Sequence, residues 1–408
     1  MGKVDGGRDR MLNIRLTAEE MRLIKQLAEK YGHGNVSSLV RGWLAQNNED
    51  DSPKKAQKKP AVEAPKRFWG SDLGRMYHGD SRGLLRTTLR KETVDLVVTS
   101  PPFGLVRKKA YGNEPSHKYL EWFKPFAEGI KRVLKPTGSL VIDIGPAWLP
   151  GLPPKSLYQF ELLTMLCEEY GFFLAQDFYW WNPARMPAPA EWVNVRRLRV
   201  KDAVNPVWWL SPTPWPKASN RRVLTPYGKS QKELFKRGYN AGPRPSGHVV
   251  SESWGRDNGG AIPPNLIAAP NTVSDDPYQK FCRDMNMKPH PARFPWSLPE
   301  FFIRMLTDRG DLVVDPFAGS CITGAVAESL GRKWVCGELI EDYLLGALGR
   351  FQSGDLTSVA PSVPEGGYNV PISIPAQQSQ DGIAIDSYGG KAPPKEPGRK
   401  GKKATVEH

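Results

Sequence analysis

Residues 313–339 read VVDPFAGSCITGAVAESLGRKWVCGEL. An apolar run ends at Asp315, a glycine turn follows, and a helical segment then leads to a second apolar run that ends at Glu338. This order predicts one strand–helix–strand unit of a parallel sheet, in which ligands bind outside the carboxyl ends of the strands. Glu338 falls nineteen positions after Gly319, a spacing at which a carboxylate can take the hydroxyl groups of a bound ribose.

The glycine turn limits the kind of nucleotide that this unit can bind. A dinucleotide fingerprint requires G-x-G-x-x-G, whereas this turn reads Gly319-Ser320-Cys321. The second glycine, which lets the backbone approach a pyrophosphate, is therefore missing, and the sequence disfavours NAD and FAD. A nucleoside without phosphates remains as a candidate, and S-adenosylmethionine fits this turn. A tight turn between strand and helix that binds no ligand is the alternative.

The rest of the body, residues 67–354, alternates between strands and helices. Apolar runs typical of buried strands occur in GRMYHGD, VDLVVTS, GSLVIDIG and FFLAQDFYWW. The amphipathic segments YLEWFKPFAEGIKRVL and FELLTMLCEEYG lie between them and predict helices. This alternation predicts an α/β fold with a doubly wound, Rossmann-like sheet.

A second informative stretch is VVTSPPFGLV, residues 97–106. Pro101 and Pro102 remove two backbone donors, so the strand must end at Thr99 or Ser100 and a rigid turn must begin. The Ser100 hydroxyl and the Pro101 carbonyl are then two acceptors on a stiff backbone, beside the aromatic face of Phe103. Such acceptors suit the exocyclic amine of a nucleic-acid base, because they can hold its hydrogens while the ring stacks on the base.

The body resembles the β group of exocyclic-amine DNA methyltransferases, and it is most similar to their cytosine-N4-specific branch. The match covers residues 70–350 and includes the order of parts: SPPF first, a long variable region, then HPARFP (290–295) and DPFAGS (315–320). The resemblance implies methylation of N4 of a cytosine flipped out of double-stranded DNA, with S-adenosylmethionine as cofactor. It assigns catalysis to Ser100, Pro101, Pro102 and Phe103.

The resemblance also implies a set of cofactor contacts. Asp315, Phe317 and Gly319 would bracket the methionine half, Glu338 would hold the ribose, and Asp80 would accept from the adenine amine. Two residues of HPARFP, His290 and Phe294, would close over the methionine. Core packing is the alternative role for Phe317 and Phe294. Family members usually continue with glycine and threonine after DPFAGS, whereas this chain has Cys321 and Ile322.

The cysteine and histidine pattern predicts neither a metal site nor a disulfide framework. Four cysteines are present without a CxxC pair, and the six histidines are scattered along the chain. We therefore expect a reducing, cytoplasmic location. The chain also lacks an apolar run of the roughly 18 residues that a membrane-spanning helix needs, so no membrane partner is expected.

The charge of the chain points to an acidic partner. The net charge is +14, which favours double-stranded DNA as the partner, although a solvated basic surface is the alternative. Residues 182–260 contain 14 lysines or arginines against 5 acidic residues. We assign about 182–288 to target recognition. The segment NVRRLRVKD is predicted as a strand with Arg197 and Arg199 on one face, contacting DNA.

Residues 1–50 are predicted to form a small separate unit. MLNIRLT (11–17) alternates like a half-buried strand, a helix follows Thr17, and a second helix covers 36–44. Residues 11–47 resemble the ribbon-helix-helix family, in which two chains pair their strands into one DNA-reading ribbon. The resemblance implies a homodimer with Asn13 and Arg15 facing DNA. A dimerisation element without a DNA role is the alternative.

The remaining segments are predicted to lack regular structure, and three functions stay open. Residues 51–66 are expected to form a basic linker and residues 355–408 a disordered tail. Cytosine-N4 methylation is the leading expectation, and adenine-N6 methylation is the nearest alternative because both reactions need only acceptors. A DNA-binding regulator with a weak methyltransferase body is the alternative from another class. The sequence leaves open the recognition site and whether a cognate restriction endonuclease is a partner.

Overall fold

The computed structural model describes residues 17–30, 62–105, 112–238, 241–251, 255–272, 276–293 and 295–351. The chain divides into two compact units, Met1–Ala61 and Val62–His408. In the first unit the described residues form one helix, α1 (Ala18–Lys30), which confirms the helix predicted after Thr17. The predicted strand from residue 11, the second helix, Asn13 and Arg15 lie outside the described residues.

The second unit is built around a nine-stranded sheet. Its strands, in chain order, are β1 (Lys66–Gly70), β2 (Gly74–His78), β3 (Val94–Thr99), β4 (Leu134–Asp143), β5 (Phe173–Trp181), β6 (Val204–Ser211), β9 (Leu266–Ala268), β10 (Leu312–Asp315) and β11 (Lys333–Glu338). Two short strands, β7 (Gly242–Pro243) and β8 (Val249–Val250), pair separately. The spatial order in the large sheet is β1-β2-β11-β10-β3-β4-β6-β5-β9.

The centre of this sheet is parallel. Strands β2, β11, β10, β3 and β4 run in the same direction, so their carboxyl ends meet at one edge. Strand β6 is antiparallel to both β4 and β5, and β1 is antiparallel to β2. The predicted doubly wound, mostly parallel sheet is therefore confirmed.

Helices cover both faces of the sheet. They are α2 (Tyr119–Val133), α3 (Tyr158–Glu168), α5 (Pro277–Asp284), α6 (Ser297–Leu306), α7 (Ile322–Ser329) and α8 (Glu341–Ala347). A further helix, α4 (Lys229–Arg237), has no buried residue. A short helical segment at Ser81–Gly83 and Leu84–Thr88 follows β2. On β3, Leu96 and Val98 belong to the core formed with α6 and α7, whereas Val97 belongs to the core formed with α2 and α3. Burial on both faces explains why the parallel strands are continuous apolar runs.

The variable region departs from the sequence prediction. The segment NVRRLRVKD does not form the predicted strand: Glu191–Val195 is a helical turn, residues 196–203 contain no strand, and β6 begins at Val204. Arg197 has a φ of +54°, a left-handed conformation that breaks a strand. Strand β6 was not predicted, and it places part of residues 182–288 inside the sheet. Among the described residues, no helix is both long and apolar enough to cross a membrane.

Candidate active site

The predicted site residues meet at the carboxyl edge of the parallel strands. A cavity of about 220 Å³ opens there. Its walls include the predicted residues Asp80, Ser100, Pro101, Pro102, Phe103, His290, Phe317, Gly319 and Glu338. Asp315 is buried without lining the cavity, and Phe294 lies outside the described residues.

The Ser100 hydroxyl is held by a carboxylate that the sequence analysis missed. Ser100 Oγ donates to Asp143 Oδ2 over 3.0 Å, at the end of the neighbouring strand β4. Asn205 Nδ2 donates to Asp143 Oδ1 over 2.9 Å, and Arg185 Nη1 donates to Asn205 Oδ1 over 2.6 Å. Because the Ser100 hydroxyl donates its hydrogen to Asp143, the lone pairs of Oγ remain available to accept a hydrogen bond from another group.

The surroundings of Asp143 shift the pKa of its carboxyl group. Burial raises the pKa of Asp143 to about 6, against the lowering effect of the hydrogen bonds from Asn205 and Ser100. The carboxylate is therefore charged at neutral pH but close to titration. The sequence does contain a signal for this residue, since GSLVIDIG is a buried strand with an aspartate at its carboxyl end, beside the strand of Ser100.

The Phe103 ring packs against Gly145, and a larger residue at position 145 would displace the ring. A Cβ built on Gly145 would lie 2.2 Å from Cε2 of Phe103. The Tyr158 hydroxyl donates to the Gly145 carbonyl, and the Tyr158 ring lies against Gly104. The turn after Ser100 is thus packed on its far side by Gly145 and Tyr158, which fixes the position of the aromatic face.

Asp315 organises the turn between β10 and α7. Its carboxylate accepts from Thr99 Oγ1 and Thr323 Oγ1, each over 2.7 Å, and from the Phe317 N–H over 3.1 Å. Burial raises the pKa of Asp315 to about 6, although all three hydrogen bonds favour the charged form. Since Thr99 directly precedes Ser100, this contact joins the catalytic strand to the glycine turn.

Two residues of the glycine turn adopt left-handed backbone conformations. Gly319 has a φ of +51° and Cys321 a φ of +54°. Cys321 occupies the position at which relatives usually carry glycine. Glycine suits this position because it adopts a positive φ more readily than other residues. The thiol of Cys321 is fully buried and contacts Cys336, and helix α7 begins at the next residue.

Glu338 is a buried carboxylate at the cavity wall. Its Oε2 accepts from the Gly319 N–H over 2.8 Å, and its Oε1 accepts from the N–H groups of Leu339 and Ile340, each over 2.9 Å. Burial raises the pKa of Glu338, which these three donors oppose. A carboxylate has about four lone-pair sites, so Glu338 can still accept from a ligand hydroxyl.

His290 and Asp80 occupy other parts of the wall. The His290 ring packs edge-on against Tyr343 with centroids 4.5 Å apart, and a Cβ on Gly319 would lie 3.3 Å from its Nε2. Burial lowers the pKa of His290 to about 4, so the ring is neutral at pH 7. Asp80 caps the helical turn through the Arg82 N–H over 2.8 Å and forms an ion pair with the Arg82 guanidinium.

Phe317 packs in the core and also borders the cavity, so its predicted contact with the cofactor stays a prediction. One part of its ring packs on Trp122 and Phe126, with centroids 5.7 and 4.8 Å away. The side chain is only partly buried and also lines the cavity. Phe317 is therefore anchored in the core and presents the rest of its ring to the cavity.

A buried arginine that the sequence analysis missed supports the glycine turn. Arg350 Nε donates to the Ser320 carbonyl over 2.8 Å. Its Nη1 and Nη2 form a bidentate pair with Asp276 at 2.6 and 2.8 Å, and Asp276 caps helix α5. The arginine thus joins the turn to the start of α5, a long-range contact that has no local sequence signal.

The predicted DNA contacts of the variable region differ in their surroundings. Arg197 is exposed. The side chain of Arg199 is only 18% exposed, because it donates to the Pro153 carbonyl over 2.7 Å and pairs with Asp202 at 3.0 Å. No group of three or more histidine, cysteine or acidic side chains that could hold a metal ion occurs among the described residues.

Comparison with protein-family models matches residues 94–348 to the family described as DNA methylase. The chain is 50% identical over 287 residues to the Type II methyltransferase M.PvuII of Proteus hauseri, a match that covers 70% of this chain and 85% of that protein. It is 26% identical over 290 residues to the DNA adenine methyltransferase YhdJ of Escherichia coli (strain K12), covering 70% and 85%.

A solved structure described as PvuII DNA methyltransferase (cytosine-N4-specific) superposes with a TM-score of 0.59. The two chains are 43% identical in this alignment, which covers 72% of this chain and 94% of the other. The fold of this chain therefore has a counterpart of known structure.

Proposed function

Because this chain belongs to the DNA methylase family, we propose that it transfers a methyl group from S-adenosylmethionine to the exocyclic N4 of a cytosine in double-stranded DNA. The observation that carries this proposal is the Ser100–Asp143 hydrogen bond at the rim of the same cavity that Glu338 and Phe317 line. Acceptors for an amine and a wall suited to a nucleoside thus lie side by side.

The Ser100–Phe103 turn can hold the amine for reaction. The lone pair of an exocyclic amine is delocalised into the ring, which makes the nitrogen a poor nucleophile. Ser100 Oγ and the Pro101 carbonyl can accept the two amine hydrogens and favour a pyramidal nitrogen. Pro101 and Pro102 stiffen the turn, so these acceptors are placed before the base arrives and need little reorganisation.

Asp143 completes this arrangement by providing a destination for a proton. An amine that gains a methyl group becomes positively charged and must release one hydrogen. Ser100 Oγ can take that proton while it passes its own to Asp143 Oδ2, along the hydrogen bond already present. A carboxyl group with a pKa of about 6 can accept this proton and return it to solvent near neutral pH.

The cavity fits S-adenosylmethionine by its chemistry. When bound, the cofactor supplies an electrophilic methyl group on a positively charged sulfur. Glu338 would accept from the ribose hydroxyls and Asp80 from the adenine amine, while Phe317 and Gly319 would border the methionine half. Burial keeps His290 neutral, so its ring can approach a cation without repulsion. Phe294, also expected near the methionine, lies outside the described residues.

The choice of cytosine N4 rests on two supports. Serine at position 100, where many adenine-specific relatives carry aspartate, favours the cytosine branch at the family level. The relative of known structure is described as cytosine-N4-specific, and the match to it is closer than the match to the adenine methyltransferase YhdJ. Adenine N6 remains the alternative that the experiment below must exclude.

On the DNA side, the flipped base would stack on Phe103, and Arg197 would contact the phosphate backbone. Arg199 is held by the Pro153 carbonyl and by Asp202, so it would support the DNA-binding surface through those contacts.

For the N-terminal unit, the proposal is a ribbon-helix-helix homodimer in which Asn13 and Arg15 face DNA. Deletion of residues 1–50 should leave methylation intact, whereas a mainly regulatory protein would lose its principal DNA binding. A restriction endonuclease as genetic partner is left open.

The test is to express the chain in cells that lack DNA modification and to sequence their DNA with a modification-sensitive method. The proposal predicts N4-methylcytosine at one short recurring sequence, which also identifies the recognition site. Methylation of adenine, or of no base, would contradict it.

A further inference from the structure

Residues 146–157 form a finger that projects from the sheet next to the catalytic turn. Its two arms are joined by hydrogen bonds from the Ser156 N–H to the Ala147 carbonyl over 2.9 Å and from the Leu149 N–H to the Pro154 carbonyl over 3.1 Å. A β-bridge between Trp148 and Lys155 lies between these bonds. The arms rise by about 3.3 Å per residue, so the tip stands roughly 10 Å from the root.

Both ends of the finger rest on the catalytic turn. At one end, Gly145 touches the ring of Phe103 and follows Asp143 by two residues. At the other end, Tyr158 packs against Gly104 and donates its hydroxyl hydrogen to the Gly145 carbonyl. The finger therefore has a fixed position relative to the place where a base would be held.

The tip of the finger is a stiff, apolar turn. The Leu152 N–H donates to the Leu149 carbonyl over 3.1 Å, and Gly151 between them has a φ of +71°. Proline followed by glycine at the two central positions is the sequence preference of a type II turn. Leu149 and Leu152 are 38% and 52% exposed, although leucine side chains gain free energy from burial.

The shaft of the finger is braced by the variable region. Arg199 donates to the Pro153 carbonyl over 2.7 Å, and its guanidinium lies 5.9 Å from the centre of the Trp148 ring. Asp202 pairs with both Lys155, at 2.7 Å, and Arg199, at 3.0 Å. A finger held by these contacts and by four prolines loses little conformational entropy when its tip is buried in a partner.

We propose that Leu149 and Leu152 enter the base stack of duplex DNA and fill the space left by the extruded target base. This inference rests on the proposed function, since an enzyme that modifies a base inside a duplex must take that base out of the stack. Proteins that distort DNA insert leucine or proline side chains between base steps in this way. Three exposed cations, Arg196, Arg197 and Lys201, lie within three positions of Arg199 in the chain, and Arg196 also pairs with Glu191. Cations close to an apolar wedge suit the phosphates of DNA better than they suit an apolar protein surface.

The experiment compares two DNA duplexes that carry the mapped recognition site. In one the target cytosine is paired with guanine, and in the other it faces adenine, so the mismatched base leaves the helix at lower cost. The chain with both Leu149→Ala and Leu152→Ala is measured beside wild type on each duplex. Leu174→Ala is the matched control, because Leu174 is similarly exposed (43%) but lies at the start of β5, the opposite edge of the sheet.

The proposal predicts that the double variant loses about tenfold or more in kcat/KM on the paired duplex and no more than about threefold on the mismatched duplex. The KM of the double variant for S-adenosylmethionine should equal that of wild type. The kcat/KM of the control variant should equal that of wild type on both duplexes. Equal activity of the double variant and wild type on the paired duplex would overturn the proposal. So would an equal loss on both duplexes, or a change in sedimentation that marks the tip as a contact between two copies. Failure of the proposed function would differ, because wild type itself would methylate cytosine in neither duplex.

Discussion

Ser100 Oγ and Asp143 Oδ2 lie 3.0 Å apart, at the carboxyl ends of the adjacent parallel strands β3 and β4. The bond joins the hydroxyl of the SPPF turn to a carboxylate that is buried from solvent. Because the serine donates to Asp143, its oxygen faces the cavity as an acceptor with enhanced electron density. We therefore expect the reactivity of the turn to depend on the charge of Asp143.

The first prediction concerns pH. Asp143 can take up a proton from Ser100 only when it is charged, and burial raises its pKa to about 6, so kcat should fall as the pH drops through 6. The Asn205 hydrogen bond favours the charged form and lowers this pKa. Asn205→Leu should therefore raise the pKa and move the midpoint of the kcat profile to higher pH. Steady-state kinetics between pH 5 and pH 9, roughly the range in which many proteins stay folded, measures this shift.

Asp143→Asn serves as the control for that titration. It should lower kcat by roughly 10²–10³, the usual cost of losing one group that stabilises a transition state, and should flatten the acid limb of the profile. An acid limb that persists unchanged in Asp143→Asn would assign the titration to another residue.

The second prediction concerns the seat of Phe103. The Cβ of Gly145→Ala would lie 2.2 Å from the Phe103 ring, so the ring must move and base stacking must weaken. The loss of stacking is worth about 1–3 kcal/mol, or roughly 5- to 150-fold in kcat/KM for DNA. Gly228→Ala is the control, since a Cβ there meets nothing within 4 Å. If Gly145→Ala methylates DNA as fast as the control, the ring does not need this position.

The third prediction concerns the ribose site. Glu338→Gln removes the charge and one acceptor from a buried group that faces the cavity. The dissociation constant for S-adenosylmethionine should rise about 10- to 100-fold, because hydrogen bonds to charged groups contribute roughly 1.5–3 kcal/mol. Titration calorimetry measures the change, with the exposed neighbour Glu341→Gln as control. Unchanged affinity in Glu338→Gln would move the ribose site elsewhere.

The fourth prediction concerns Cys321, whose φ is +54°. Cys321→Gly removes the strain of a left-handed residue, about 1–2 kcal/mol, and loses a small buried side chain, so the free energy of unfolding should change little. S-adenosylmethionine should still bind. Cys321→Val should lose about 1–3 kcal/mol, because a β-branched residue tolerates this conformation poorly. Denaturant unfolding gives both values, and equal stability of the two variants would show that the backbone is not strained here.

Much of the fold and the site could be predicted because the signals are local. The runs that end at Thr99, Asp315 and Glu338 are continuous apolar strands, and their shared direction brings their carboxyl ends together. Periodicity cannot show partners that are distant in sequence, so Asp143 and Arg350 were missed. The predicted strand at NVRRLRVKD failed because Arg197 adopts a left-handed backbone, and alternation of charge carries no information about φ.

The most direct test of the central claim uses the purified full chain, duplex DNA and S-adenosylmethionine with a labelled methyl group. The methylated DNA is hydrolysed, and its nucleosides are separated and identified by mass. We predict that the label appears in N4-methyldeoxycytidine and that Ser100→Ala binds the cofactor normally but incorporates far less label. Label in N6-methyldeoxyadenosine would contradict the cytosine assignment, and wild-type incorporation by Ser100→Ala would contradict the role of the serine.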